Sequence, residues 1–163
     1  IIIVRSQRNA YDHALRAAGA NLVEVGLPDR HAGAGVRDAQ GWQIESAITE
    51  RTAAIFHVAA ENAEPSLPEV VAIARRHGLP VLVDAAAQLP PQANLRRFIE
   101  VGADLVAFSG GKVLGGPQAS GILAGKRDLV MAAALQHLDL DVFWQTVLDC
   151  DRFINSAPDD SPV

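Results

Sequence analysis

Two uninterrupted apolar runs, each closing on polar residues, constrain this chain most. Val81-Leu-Val83 ends in Asp84, and Leu105-Val-Ala-Phe108 follows Asp104 and ends in Ser109-Gly-Gly-Lys112. Short apolar runs without alternation mark strands buried on both faces, the pattern of a parallel sheet. An acid and a lysine at the ends of two such strands are costly to place unless each has a partner. In an open α/β sheet, ligands bind outside the carboxyl ends of the strands. The two runs therefore predict both a layered fold and the edge on which its site lies.

The rest of the chain alternates in the same way. Strands are expected over residues 1–4, 21–25, 53–58, 80–83, 105–108 and 120–124, with the last a candidate for antiparallel pairing. Helices are expected over 9–18, 42–48, 66–77, 94–101, 126–137 and 141–150. Gly19, Gly78 and Gly102 supply stop signals for three of them. Ser66-Leu-Pro-Glu69 has the form of a capping box, with proline near the first helical position. A polar, glycine-rich loop is expected over 26–38 and a loose tail over 155–163. Such alternation predicts an α/β fold: a mixed, mainly parallel sheet with helices on both faces.

Composition narrows the classes. The chain has 163 residues, 49% of them hydrophobic, which suits one domain with a covered sheet. The net charge is −5 and no basic stripe stands out, so composition gives nucleic-acid binding no support. The lone Cys150 excludes an internal disulfide framework and points to a cytoplasmic protein. No apolar run approaches the roughly 18 residues of a membrane span, and no signal peptide is seen. The chain opens on Ile1-Ile-Ile-Val4 without an initiator methionine, which reads as the middle of a longer protein.

Several familiar motifs fail. Gly33-Ala-Gly35 lacks the third glycine of a dinucleotide fingerprint. Gly111-Lys112 is followed by Val113, and Val106 stands where a phosphate loop has its first glycine. His13, His31, His57, His77 and His137 show no metal-ligand spacing, so no metal is expected. There is no Gly-x-Ser-x-Gly elbow. What remains is Asp84, Ser109 and Lys112. A pyridoxal phosphate site needs a lysine for the aldehyde, a carboxylate for the pyridinium proton, and hydroxyl and N–H groups for the phosphate. Lys112, Asp84 and Ser109 fit those roles in that order. On these residues alone a blander reading also stands: Asp84 as a turn former and Lys112 as a solvated loop residue.

A wider set of residues resembles the fold-type I pyridoxal phosphate enzymes. It comprises Val81-Leu-Val-Asp-Ala-Ala-Ala-Gln-Leu-Pro-Pro91, Gly102-Ala-Asp-Leu-Val-Ala-Phe-Ser-Gly-Gly-Lys112, Gly116-Pro-Gln118 and Ser120-Gly121. Within that class it is similar to the selenocysteine synthase (seryl-tRNA selenium transferase) family and its relative D-glucosaminate-6-phosphate ammonia-lyase. Arg8-Asn-Ala-Tyr-Asp12, Gly19-Ala-Asn-Leu-Val-Glu-Val25 and Thr52-Ala-Ala-Ile55 extend the similarity upstream. The resemblance covers about residues 1–144, implying a cofactor-binding large domain there. Residues 145–163 are left as an unmatched helical end and tail.

The resemblance implies roles by position. Lys112 becomes the Schiff-base lysine, Asp84 the partner of the pyridine nitrogen and Ser109 a phosphate ligand. Ala86 would lie against the ring and Gln88 would reach the ring edge, or else cap the next turn. Gln118 would face the site or a neighbouring subunit, or simply fix its loop. Arg8, and Arg5 beside it, would bind an anionic substrate group, or else form a solvated helix start. His57 is expected to be a satisfied core histidine. Gly111 departs from the selenium transferases, which tend to carry an acid immediately before the lysine, and this favours the ammonia-lyase branch. The glycine-rich phosphate turn and the small carboxyl-terminal domain of such enzymes have no counterpart in the sequence. The implied activity is α,β-elimination and deamination of an amino acid or amino sugar acid by a homo-oligomer. Two alternatives stand beside it: a selenium or sulfur transferase acting on seryl-tRNA, and a cofactor-free oligomeric remnant or binding module.

Overall fold

The computed structural model describes residues 1–27 and 39–136. The expected helix over 141–150, the tail, Cys150, and most of the glycine-rich loop with Gly33 and Gly35 lie outside the described residues. Among the described residues, six strands form one sheet: β1 (Ile2–Val4), β2 (Val23–Val25), β3 (Ile55–Val58), β4 (Val81–Asp84), β5 (Leu105–Ser109) and β6 (Gly121–Gly125). Their order is β2-β1-β3-β4-β5-β6. All neighbours pair in parallel except β5 and β6, which are antiparallel. The mixed, mainly parallel sheet is the one the apolar runs predict.

Alternation along the strands assigns side chains to two faces. Ile55, Val81, Val83, Val106 and Phe108 are buried in one core. The helices α2 (Gly41–Ala47), α3 (Leu67–Arg76) and α4 (Asn94–Val101) contribute Ile44, Val70, Ile73 and Phe98 to it. Each such side chain stabilises the fold by about 1.5–3 kcal/mol when fully buried. Phe56, Leu82, Leu105, Ala107 and Leu123 point the other way. They meet Ala14 and Leu15 of the short α1 (His13–Ala17) across a cavity. The last helix among the described residues, α5 (Arg127–Ala134), packs beside β6.

Some local expectations change. The helix expected over 9–18 opens as a 3-10 turn, Ala10–Asp12, before α1 begins, and another 3-10 turn, Arg5–Gln7, precedes it. The side chain of Asn9 accepts from the Tyr11 N–H at 2.8 Å and starts the second turn, which delays the α-helix. Ser66 stands at the N-cap of α3, yet its side chain makes no capping hydrogen bond. The capping box lies at α2 instead, between Gln40 and Gln43. The expected bounds of α4 hold, and Gly102 ends it in the left-handed region at φ 118°. A Cβ there would come within 2.7 Å of Val71 Cγ1, so only glycine lets α4 close onto α3.

His57 corrects another expectation. It is a core residue, only 2% exposed, but its Nδ1 has no hydrogen-bond partner. Burial lowers its pKa from 6.5 to about 4. The folded state therefore binds fewer protons than the unfolded chain below about pH 6.5. The stability gained by burying a neutral imidazole is present above that pH and is lost as pH falls toward 4. This pH-dependent loss is on the order of 3 kcal/mol. Urea melts between pH 7 and pH 4 should show a loss of this size, and His57→Gln should flatten that part of the profile.

Candidate functional site

The carboxyl ends of β3, β4 and β5 are held by hydrogen bonds that continue past the strands. Ala59 N–H donates to Asp84 O at 2.8 Å, Ala85 N–H to Ala107 O at 2.9 Å, and Ser109 N–H to Ala86 O at 3.2 Å. Asp84 pairs with Ala107 in the register, so Asp84 and Ser109 lie on the same face. Asp84 Oδ1 accepts from Ala86 N–H at 3.0 Å and shapes the turn. Its Oδ2 has no protein partner among the described residues. The turn-forming and ligand-facing readings of Asp84 are thus compatible, one oxygen serving each.

After Ser109 the chain folds tightly on itself. Gly110 N–H donates to Ser120 O at 2.9 Å, Gly116 N–H to Gly110 O at 2.8 Å, and Gly115 N–H to Lys112 O at 2.9 Å. Ser120 Oγ donates to Pro117 O at 2.6 Å. A Cβ on Gly111 would lie 2.7 Å from Gln118 Cα and 2.6 Å from its Oε1, so the loop closes only because residue 111 has no side chain. Lys112 emerges from this turn exposed, its Nζ 5.2 Å from the centroid of the Tyr11 ring.

These elements enclose a cavity of about 440 Å³. Asp84, Ala86, Ser109, Lys112 and Gln118 all line it. Gln88 does not. Its Nε2 donates to Ala59 O at 3.1 Å, and its side chain borders a different cavity on the α3–α4 side. That placement does not put it at a ring edge in the Lys112 cavity. Arg8 is also turned away: it pairs with Asp12 and Glu24, and the Arg8 guanidinium holds the Asp12 carboxyl below the usual range. Arg5 pairs with Glu24 at 3.1 Å. The arginines thus build the junction between α1 and β2 and do not line the cavity. Tyr11 was not singled out as a site residue by sequence reasoning, and the only signal for it is the Arg8-Asn-Ala-Tyr-Asp12 stretch. Among the described residues no His, Cys, Asp and Glu cluster could hold a metal, and no helix is long and apolar enough to cross a membrane.

The donor set fits pyridoxal phosphate. One oxygen of Asp84 is left for a protonated ring nitrogen, the small Ala86 leaves room beside it, Ser109 offers a hydroxyl, and the Lys112 amine shares their cavity. The sheet, with an acid closing β4 and Ser-Gly-Gly-Lys leaving β5, has the architecture of the fold-type I pyridoxal-phosphate enzymes. The model of the L-seryl-tRNA selenium transferase family matches residues 11–158. The chain belongs to this family.

Individual relatives agree with that placement. The chain is 41% identical over 124 residues to a 5'-C-glycyluridine monooxygenase-decarboxylase of Streptomyces sp, covering 73% of this chain and 28% of the relative. It is 35% identical over 128 residues to D-glucosaminate-6-phosphate ammonia lyase of Salmonella typhimurium, covering 76% and 31%. It is 36% identical over 156 residues to an L-seryl-tRNA(Sec) selenium transferase of Actinobacillus pleuropneumoniae, covering 86% and 31%. The chain thus spans less than a third of the length of these curated relatives. A solved D-glucosaminate-6-phosphate ammonia-lyase superposes with a TM-score of 0.68 at 27% identity, covering 96% of this chain and 43% of that one. The ammonia lyase and the selenium transferases are pyridoxal-phosphate enzymes.

The contact between Gly111 and Gln118 makes a direct prediction. Gly111→Ala should force the Lys112 loop apart and cost about 1–3 kcal/mol, as overpacking does. Urea denaturation checks the cost. The companion Gly111→Ala/Gln118→Gly protein should recover part of it, because the side-chain share of the clash is gone.

Proposed function

We propose that this chain carries the cofactor-anchoring half of a lyase that eliminates a β-substituent and the amino group from an amino acid or amino sugar acid. The observation that carries the reading is the meeting of Asp84, Ser109 and Lys112 in one cavity. Pyridoxal phosphate, when bound, supplies an electron sink for the pair of electrons left at the substrate α-carbon. Lys112 anchors the aldehyde, and its freed amine takes the α-proton as general base. Asp84 keeps a proton on the ring nitrogen through its unshared oxygen. The Ser109 hydroxyl holds a phosphate oxygen. The apolar wall formed by Phe56, Leu82 and Leu123 keeps water from the reacting carbon.

Gly111 is the feature that separates this reading from selenium or sulfur transfer to seryl-tRNA. A residue with a side chain in that position meets the Gln118 backbone, so the acid typical of selenium transferases has no room in this loop. A net charge of −5 also gives tRNA binding no support from composition.

Borohydride reduction of the protein with pyridoxal phosphate, followed by peptide mapping, tests the anchor. We expect the fixed label on Lys112 and none in Lys112→Ala. Label spread over other lysines, or unchanged in Lys112→Ala, would leave a cofactor-free binding module as the better reading. Ammonia release from β-substituted amino acids then tests the reaction. Salt-sensitive binding of seryl-tRNA without ammonia release would move the assignment to the transferase.

A further inference from the structure

Lys112 is the working group of the proposed reaction, yet it leaves a glycine turn as an exposed side chain. The chain has only one other lysine, Lys126, and a single tyrosine, Tyr11. Lys126 is held by Asp104 at 2.6 Å. Lys112 has a different kind of partner. Its Nζ stands over the Tyr11 ring, 5.2 Å from the centroid, inside the roughly 6 Å over which an aromatic face attracts a cation. Both side chains line the cavity that holds Asp84 and Ser109.

The backbone beneath this contact is fixed on both sides. The Lys112 carbonyl accepts from Gly115 N–H at 2.9 Å. Tyr11 N–H donates to Asn9 Oδ1 at 2.8 Å, and the Tyr11 carbonyl accepts from His13 N–H. The next residue, Asp12, is buried and gripped by Arg8 and Arg16. Arg8 therefore has a use despite turning away from the cavity: it pins the turn that presents Tyr11. Ala14 and Leu15, just beyond, are part of the cavity wall.

A lysine side chain free in water samples many rotamers, and holding it near its target beforehand favours the step that follows. A carboxylate would hold the ammonium by a charge-assisted hydrogen bond. A ring face attracts it without a hydrogen bond and releases it more readily.

We propose that Tyr11 is a positioning residue for Lys112, its ring face keeping the amine at the cavity mouth in the cofactor-free protein. The role rests on the reading of Lys112 as the anchor.

Two measurements on the whole chain test the two halves separately. The first needs no cofactor. Reductive methylation with carbon-13 formaldehyde labels both lysines, and Lys126→Arg assigns their signals. The Lys112 methyl signal should lie upfield through the ring current of Tyr11. The shift should persist in Tyr11→Phe and vanish in Tyr11→Leu. Both changes fall on an exposed side chain, and circular dichroism should show a wild-type fold. The second measurement uses unmodified protein: the rate at which pyridoxal phosphate is fixed on Lys112 by borohydride. Tyr11→Leu should slow it about two- to fivefold, and Tyr11→Phe should restore it. A Lys112 signal unchanged in folded Tyr11→Leu, or an unchanged labelling rate, would overturn the proposal. No label in the wild-type protein would overturn the anchor reading, and this role with it, even where the ring-current shift is present.

Discussion

The hydrogen bonds that carry β3, β4 and β5 past their last regular residues hold the site in place. A strand end normally frays, because its terminal N–H and C=O groups face water. Here Asp84 O is taken by Ala59 N–H, Ala107 O by Ala85 N–H, and Ala86 O by Ser109 N–H. The backbone on both sides of Asp84 is therefore part of the sheet. Its carboxylate is aimed by the register and needs little help from side-chain packing. Ser109 follows from the same constraint, two residues along from Ala107 on the paired strand. Only Lys112 lies beyond the ladder, and the glycine turn closed by Gly116 and Ser120 replaces the ladder there.

Period-two alternation then gives the sheet two different chemistries. On one face, Phe56, Leu82 and Leu123 make an apolar wall under Asp84 and Lys112. On the other, Ile55, Val83 and Phe108 belong to the core beneath α3 and α4, and His57 replaces an apolar residue among them. An isoleucine at 57 would satisfy packing with no orphaned nitrogen. The imidazole is costly in that place unless something polar meets it. The β4–α4 turn bridges the two sides, since Ala86 borders the first cavity and Gln88, two residues on, borders the second.

Much of this was legible in the sequence, and the parts that were not share a cause. The apolar runs predict every strand of the sheet, and the bounds of α4 follow from Gly102 and its apolar period. Asp84, Ser109 and Lys112 were legible because they punctuate buried strands, where a polar residue stands out. Gln88 and Arg8 stand away from the Lys112 cavity because their placement depends on distant partners: a carbonyl 29 residues away for Gln88, and Glu24 16 residues away for Arg8. Tyr11 was hidden for the same reason. It lines the cavity and meets Lys112 across about a hundred residues of sequence, and nothing local marks an exposed tyrosine for it. The capping box moved from Ser66 to Gln40 because a proline in the first turn and a Ser-x-x-Glu spacing permit such a bond without requiring it.

Three relatives with different named activities match much the same segment at similar identity, 35–41%. A segment shared at that level among relatives with different named activities does not by itself choose between them. The choice must be sought where this chain departs from a branch for a physical reason. Gly111 is such a place. The Lys112 loop closes through Gly110, Gly116 and Ser120, with Gln118 Cα standing where a Cβ of residue 111 would go. An acid there cannot be added to this loop as a single change. It requires another path for residues 110–120, and with it another position for the lysine. Glycine at 111 and glutamine at 118 are thus coupled by steric exclusion.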